Sequence, residues 1–211
     1  MKPSSIDEVR ELYEASADSY AEMMNAEINL PLYSDVLSRL HQSISNLKGL
    51  LVDTACGSGH MLAMYRDRYD HSRLLFGVDL SPKMVSIASK RLGKSARIVV
   101  GDMRQLSAIE TGSAAAMINY FALHHLDPKG VSAALLEWNR VLIPGGQLLV
   151  AAWEGSGTID YGDDANLTAL KYRSEDLTAL ISEAGFAVNR CTVEPVEALS
   201  MDAVFLEAIK Q

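Results

Sequence analysis

Apolar residues recur along the chain at two spacings, one typical of helices and the other of buried strands. In residues 4–25, SSIDEVRELYEASADSYAEMMN, the apolar positions from Ile6 to Met24 are three or four residues apart, which predicts an amphipathic helix. Ser5 and Glu8 have the spacing of a capping box at its start. A second helix is predicted over residues 31–44, which begin with a proline. Together these segments predict an N-terminal helical cap over residues 1–48.

From residue 50 onward, short apolar runs alternate with helical segments. The runs that predict strands are 50–55, 74–79, 97–100, 114–119 and 147–153, and the helices between them are 60–69, 82–92 and 128–142. Strands that are apolar on both faces and separated by helices indicate an α/β fold with a parallel sheet covered on both sides. The last two runs, 186–196 and 202–210, are joined by a short link and predict an antiparallel pair.

Composition narrows the class of protein and its partners. With 19 Lys and Arg against 27 Asp and Glu, the net charge is −8, which disfavours nucleic acid as a partner. The longest uncharged run, residues 111–126, is too short and too polar to span a membrane. The first ten residues contain no apolar stretch typical of a signal peptide, and only two cysteines occur. We therefore expect one domain of 211 residues in the cytoplasm, with no membrane partner and an oligomeric state that the sequence leaves unknown.

The first predicted strand runs into a glycine loop, LLVDTACGSGH, over residues 50–60. Gly57 and Gly59 lack Cβ atoms, so their backbone can lie against a ligand, and the helix that follows favours an anionic group at its N-terminus. Asp79 ends the second predicted strand, where a carboxylate can accept hydrogen bonds from both hydroxyls of a ribose. The loop and this acid together predict a site for a nucleoside-type cofactor.

Two cofactors fit such a layout. A nicotinamide dinucleotide site has a third glycine in G-x-G-x-x-G, and the position is Leu62 here. Asp53, just before the loop, would repel a pyrophosphate but attract an ammonium group. These two features favour S-adenosylmethionine, whose methionine part carries an amine and a carboxylate.

Five segments in order resemble the class I S-adenosylmethionine-dependent methyltransferases, in their small-molecule branch: VDTACGSG, GVDLSPKMV, VGDM, INYFALHHL and RVLIPGGQLLV. A sixth, YRSEDLTALISEAGFAV, precedes the final strand pair. The resemblance implies a Rossmann-like, doubly wound, mostly parallel seven-stranded sheet with an antiparallel C-terminal strand pair. It also implies a single methyltransferase domain over residues 1–211, with a cofactor-binding core over 49–211 behind the cap. PGG, residues 144–146, is interpreted as a turn into the fifth strand.

The family's D-x-G-x-G-x-G motif is present here with one departure. It runs from Asp53 through Ala55 and Gly57 to Gly59, with Ala55 in place of the first glycine. The resemblance implies that the loop faces the methionine end of the cofactor and that Asp53 lies near its amine. An alanine is small enough to keep that arrangement.

The resemblance also assigns the other cofactor contacts. By position, Asp79 would bind the ribose, and Leu80 and Met84 would contact the adenine. Asp102 would accept a hydrogen bond from the adenine amino group, and Met103 would donate its backbone N–H to the ring. Asn119 and Tyr120 would hold the amine through their backbone oxygens.

Two further pairs are candidates for the site. Tyr13 and Tyr20 share a face of the first helix, which closes over the cofactor in relatives, so they either contact the cofactor or pack the helix onto the sheet. His124 and His125 follow the fourth strand, where a histidine could accept a proton from a substrate hydroxyl or amine. His125 is the preferred catalytic candidate, and the alternative is a structural pair that caps the loop.

Several residues have a structural interpretation that competes with a functional one. Cys56 is interpreted as a packing residue, Met23, Met24 and Met103 as core residues rather than a substrate surface, and Asp163 and Asp164 as a solvated loop.

The methyl acceptor is expected to be a small molecule. The sequence lacks the Asn/Asp-Pro-Pro-Tyr segment of amino-group methyltransferases and the paired glutamates of arginine methyltransferases at the expected positions. It also lacks an acidic metal cluster there, so no metal is expected. Two other classes remain open: a nicotinamide-dependent oxidoreductase and a non-catalytic S-adenosylmethionine-binding module.

Overall fold

The computed structural model describes residues 2–159, 167–196 and 200–211. Seven strands form one sheet in the order β3-β2-β1-β4-β5-β9-β8, and two short strands pair separately. The strands are β1 Leu50–Asp53, β2 Leu75–Asp79, β3 Ala96–Val100, β4 Ala114–Tyr120, β5 Leu142–Trp153, β6 Thr158–Ile159, β7 Ala169–Leu170, β8 Phe186–Val196 and β9 Met201–Lys210. Asp163 and Asp164, predicted to lie in a solvated loop, fall outside the described residues.

In the described part of the chain, six α-helices accompany the sheet: α1 Ile6–Glu27, α2 Pro31–Ile44, α3 His60–Arg68, α4 Pro82–Leu92, α5 Pro128–Val141 and α6 Ser174–Glu183. Their starts follow from local chemistry. The Ser5 hydroxyl accepts the Glu8 N–H in the predicted capping box, and Ser81 and Asp127 accept N–H groups at the starts of α4 and α5. None of the helices in these described segments is long and apolar enough to cross a membrane.

The sheet has the predicted topology. β1 pairs in parallel with both β2 and β4, and β9 pairs antiparallel with both β5 and β8. The strand order therefore reverses between β1 and β4, and ligands in such sheets bind beyond the carboxyl ends of the strands at that point. This confirms the predicted fold class and locates the crevice at the ends of β1 and β4.

The structure corrects several predicted boundaries. β1 ends at Asp53, and β5 begins at Leu142 rather than at residue 147. Ala114 pairs with Leu142 and Ala116 pairs with Gln147, so residues 143–146 bulge out of the ladder. The PGG turn therefore interrupts the strand instead of preceding it. The strand pair β6 and β7 was not predicted.

The two N-terminal helices pack differently. α2 buries Tyr33, Val36, Leu37, Leu40 and Ile44 in the same apolar cluster as α3 and the strands, so it belongs to the helical layer on one face of the sheet. α1 buries Val9, Ala17, Ala21 and Met24 and lies against α4. The element that covers the crevice is therefore α1.

Candidate active site

Two adjoining cavities lie at the carboxyl ends of β1, β2 and β4, beneath α1. The first encloses about 710 Å³, part of it open to solvent, and the second encloses about 390 Å³. Eleven predicted site residues line the first cavity: Tyr13, Tyr20, Ala55, Gly57, Asp79, Leu80, Met84, Asp102, Met103, Tyr120 and His125. Asp53 lines the second cavity, and Gly59, Asn119 and His124 line neither.

The Asp79 carboxylate, at the end of β2, fixes the glycine loop. Its Oδ2 accepts the Gly57 N–H at 2.8 Å, and its Oδ1 accepts the Ser81 N–H at 3.0 Å. Burial raises its pKa, which these backbone N–H groups partly offset. Each carboxylate oxygen can accept a second hydrogen bond, so the group can still accept from two hydroxyls.

The Asp53 carboxyl group is buried, with 3% of the residue exposed. Its Oδ1 accepts the Ala55 N–H at 3.2 Å, and it forms no ion pair with any described residue. Burial, together with the nearby negative charge of Asp79, raises its pKa to about 7, although the hydrogen bond from the Ala55 N–H opposes the rise. A buried carboxylate without a cationic partner fits a ligand that brings an ammonium group.

The two loop glycines serve different contacts. Gly57 has a φ of +50°, and a Cβ on it would lie 3.3 Å from the Tyr20 ring, so this glycine lets α1 approach the loop. Gly59, with a φ of +79°, would clash instead with Ala88 of α4, whose Cβ lies 3.0 Å from the position of an added Cβ. Gly59 therefore permits close packing of α3 on α4 rather than contact with the cavity.

Cys56, between these positions, is buried in the apolar cluster against Gly77. Burial raises the pKa of its thiol well above the usual range, so the sulfur is neutral. This supports the packing interpretation.

Two residues predicted to hold the adenine are held in place by neighbours outside the predicted set. Arg104 donates to both oxygens of the Asp102 carboxylate, at 2.7–3.1 Å, and Trp138 Nε1–H donates to the Met103 carbonyl at 2.9 Å. Asn119 is fully buried, and its Nδ2 donates to the Thr54 hydroxyl at 2.9 Å. The Asn119 side chain thus joins β4 to the loop after β1 behind the cavity wall.

The two histidines differ in access. The His125 Nε2 is hydrogen bonded to the Tyr13 hydroxyl at 2.9 Å, and burial lowers the pKa of His125 to about 4. His124 is 2% exposed, its pKa is lowered well below the usual value by burial, and neither ring nitrogen has a hydrogen-bond partner among the described residues. Both rings are therefore neutral near pH 7, and His125 alone of the two borders the cavity.

Two polar contacts that the sequence did not predict hold α1 over the crevice. The Glu14 carboxylate accepts the Ser81 hydroxyl at 2.5 Å and the Lys83 N–H at 3.0 Å, at the N-terminus of α4. Near the other end of the helix, the Asn25 Oδ1 is hydrogen bonded to His60 Nε2 at 2.9 Å and accepts from Arg91 at 3.1 Å. These partners lie far apart in the sequence, so helical spacing could not identify them.

Phe121, directly after β4, is a further site residue that the sequence analysis missed. It lines both cavities and has a φ of +54°, a region that bulky side chains rarely adopt. Its ring lies 4.6 Å from that of Trp153 and 5.2 Å from that of Tyr120, measured between centroids. A positive φ at a phenylalanine has no signal in the sequence.

The sheet order, the glycine loop after β1 and the acid at the end of β2 define a class I S-adenosylmethionine-dependent methyltransferase fold. Residues 51–146 match the family model described as "Methyltransferase domain". The chain therefore carries a methyltransferase domain.

Two curated proteins are similar to the chain in sequence. An uncharacterised 37.1 kDa transposon protein of Streptomyces fradiae is 30% identical over 167 residues, which is 72% of this chain and 47% of that protein. A probable tRNA methyltransferase 9B of Bos taurus is 30% identical over 134 residues, which is 60% of this chain and 28% of that protein. The chain thus spans about half the length, or less, of these relatives.

Two crystal structures share the fold over nearly the whole chain. One is a Burkholderia thailandensis 1,6-didemethyltoxoflavin-N1-methyltransferase with 1,6-didemethyltoxoflavin and S-adenosylhomocysteine bound. Its TM-score is 0.76 at 18% identity, and the match covers 97% of this chain and 88% of that one. The other is a magnesium protoporphyrin IX methyltransferase of Synechocystis PCC 6803 with S-adenosylmethionine bound. Its TM-score is 0.74 at 17% identity, and the match covers 98% of this chain and 97% of that one.

Proposed function

We propose that this protein is an enzyme that transfers a methyl group from S-adenosylmethionine to a small molecule. The observation that carries the proposal is the division of the predicted site between two cavities. The predicted ribose and adenine residues line the first cavity, and Asp53, predicted to bind the amine, lines the second. S-adenosylmethionine has the same two parts, an adenosyl group and a methionyl group.

The chain's own residues fit that cofactor. The Asp53 carboxyl group lacks a cationic partner among the described residues, which suits the amine, and the Asp79 carboxylate has acceptor capacity left for the ribose hydroxyls. When bound, the cofactor supplies a methyl group on a positively charged sulfur that leaves as a neutral thioether. The protein then has to align an acceptor and exclude water from the reacting atoms. Because α1 covers the crevice, it can exclude the water.

The cavity walls disfavour an acceptor with a negative charge. Among the described residues that line the two cavities there is no Lys or Arg, and burial lowers the pKa of both His60 and His125 to about 4. A phosphate or carboxylate on the acceptor would therefore have no cationic partner there. The two similar crystal structures are named for methylation of small molecules, which supports a small-molecule acceptor but not a particular charge on it.

Of the two histidines proposed for catalysis, His125 is the better candidate because it borders the cavity. Its Nδ1 is buried with no hydrogen-bond partner among the described residues, so this atom can bind a hydroxyl or amine of the acceptor. An imidazole with a pKa of about 4 is a weak base at neutral pH. We therefore propose that the main role of His125 is a hydrogen bond to the acceptor, and that accepting a proton from the acceptor is a secondary role. The two cysteines, which form no disulfide framework, lead us to place the enzyme in the cytoplasm.

Thermal unfolding with S-adenosylhomocysteine and with NAD tests the cofactor. At a hundred times its dissociation constant, S-adenosylhomocysteine should stabilise the folded protein by about 2.7 kcal/mol and raise its melting temperature. NAD at the same concentration should not. A shift with NAD and none with S-adenosylhomocysteine would show that the site belongs to an oxidoreductase instead.

A tRNA methyltransferase is the second candidate, favoured by the similarity to the bovine protein. The net charge of −8 argues against it, because binding to a phosphate backbone depends on clustered Lys and Arg. Incubation with bulk tRNA and S-adenosylmethionine labelled in the methyl group should leave the RNA unlabelled. Label in the RNA that depends on Asp79 would support the second candidate.

A further inference from the structure

Three aromatic rings line both cavities. Tyr20 comes from α1, and Tyr120 and Phe121 come from the end of β4; Ala55 is the fourth residue that the two cavities share. In S-adenosylmethionine the sulfur links the adenosyl part to the methionyl part. If the two parts occupy the two cavities, as the proposed function holds, the residues common to both surround the sulfur. This inference rests on that proposed function.

The surroundings of these rings favour positive charge. Asp53 and Asp79 line the cavities, and neither carboxyl group forms an ion pair with a described residue, whereas Asp102 is paired with Arg104. Burial raises the pKa of Tyr20, the nearby Asp79 and Asp53 carboxylates add to the rise, and its hydroxyl therefore stays neutral. Aromatic faces attract cations, most strongly where water is excluded.

The Phe121 ring is held in place from two sides. Its backbone adopts a φ of +54°, a conformation that persists only where the surroundings enforce it. The Phe121 N–H donates to the Ala151 carbonyl at 2.9 Å, and the Trp153 ring lies behind the phenyl ring. The structure thus holds an aromatic ring at the junction of the cavities at a cost in backbone strain.

We propose that Phe121, together with Tyr20 and Tyr120, recognises the positive charge of the sulfonium and so makes the site prefer S-adenosylmethionine over S-adenosylhomocysteine. The two molecules share the adenosine, the amine and the carboxylate, and they differ in the methyl group and the charge on sulfur. When the methyl group is transferred to the acceptor, its bond to sulfur breaks. The electron pair of that bond stays on sulfur, and the positive charge of the sulfonium disappears. The rings then lose their cationic ligand, which favours release of the product.

Calorimetric titration of both ligands into Phe121→Leu and the unchanged protein tests the proposal. Phe121→Leu should weaken S-adenosylmethionine about 3- to 10-fold, the range of a partly desolvated cation–π contact, and leave S-adenosylhomocysteine within twofold. The matched control is Phe205→Leu, which removes a ring 6.1 Å from Phe121 that lines neither cavity and should change neither affinity. Replacement of Phe121 by increasingly fluorinated phenylalanines keeps the shape of the ring while removing its negative face, and should weaken only S-adenosylmethionine, step by step.

The outcomes are distinct. If neither ligand binds the unchanged protein, the proposed function fails and this inference fails with it. If both ligands bind but Phe121→Leu weakens them equally, and fluorination changes neither, the ring is a wall of fixed shape and the recognition of charge is refuted while the proposed function stands.

Discussion

The hydroxyl of Tyr13 on α1 and Nε2 of His125 after β4 are hydrogen bonded across 2.9 Å, and their rings meet edge to face with centroids 5.4 Å apart. Both side chains line the first cavity. The contact therefore ties the helix that covers the crevice to the loop beside the proposed acceptor. At pH 7 the buried imidazole is neutral, since burial lowers the pKa of His125 to about 4.

A double-mutant cycle of Tyr13→Phe and His125→Leu should show this coupling. Each single substitution should lower the free energy of unfolding by about 1 kcal/mol, because it removes the hydrogen bond between the two side chains. The double variant should lose less than the sum, by about 0.5–1.5 kcal/mol. Urea unfolding of the four proteins at pH 7 measures it, and strictly additive losses would mean that the two side chains do not act together.

The affinity for S-adenosylmethionine should depend on pH through Asp53. Its carboxyl group has a pKa of about 7 in the free protein, so below pH 7 it carries a proton that must leave before it can pair with the amine. The affinity should therefore fall as the pH falls below 7, up to tenfold per unit. It should also fall above about pH 8, where an α-amino group loses its proton.

Calorimetry from pH 5.5 to 9 measures this profile. Asp53→Asn should bind more weakly at pH 8 and should lack the dependence below pH 7. A slope that persists in Asp53→Asn would assign the titration to another group.

Asp79→Ala should weaken S-adenosylhomocysteine by about 2–3 kcal/mol, because two ribose hydroxyls lose a charged acceptor. It should also lower the melting temperature, since the Gly57 and Ser81 N–H groups lose their partner. Asp67→Ala, which removes a carboxylate paired with Arg66 on the surface of α3, is the control and should leave the affinity unchanged. An unchanged affinity in Asp79→Ala, with circular dichroism showing an intact fold, would place the ribose elsewhere.

Glu14→Gln should loosen α1. The charged carboxylate at the N-terminus of α4 is replaced by a neutral amide, so the hydrogen bonds from Ser81 and Lys83 weaken. Limited proteolysis between α1 and α2, around residues 25–30, should become several-fold faster in the free protein. S-adenosylhomocysteine should slow the cleavage in both proteins. Glu11→Gln, an exposed position on the same helix, is the control, and equal cleavage of all three proteins would show that Glu14 does not hold the helix.

Deletion of residues 1–28 extends the same test. Of the buried residues of α1, only Met24 belongs to the apolar cluster that α2 forms with α3 and the strands. The truncated protein should keep the sheet, judged by circular dichroism, and should lose methyl transfer. Transfer at the full rate would show that α1 is a scaffold rather than a lid.

Local sequence predicted the helices and strands, because strand periodicity and helix caps depend on near neighbours, whereas the resemblance to the methyltransferases predicted most of the residues around the cavities. The position of Asp79 at a strand end predicted a ribose contact beside the loop, but its hydrogen bond from the Gly57 N–H was not predicted. The sequence could not separate the roles of Gly57 and Gly59, since both belong to one motif and only the packing of α4 distinguishes them.

The remaining features depend on tertiary contacts. Which of two adjacent histidines borders the cavity is decided by the short 3₁₀ turn after β4, and the sequence favoured His125 only slightly. Glu14 meets Ser81 across 67 positions, and Phe121 is held at a positive φ by the strand beside it. Neither relationship has a periodicity that a pattern could detect.

A crystal structure with S-adenosylhomocysteine bound tests the central claim most directly, since it locates each part of the cofactor. We predict density for the ribose at Asp79 and the adenine beside Leu80 and Met103 in the first cavity, the amine at Asp53 in the second, and the sulfur between them at Phe121. Adenosine density outside the first cavity, or an amine away from Asp53, would contradict the account.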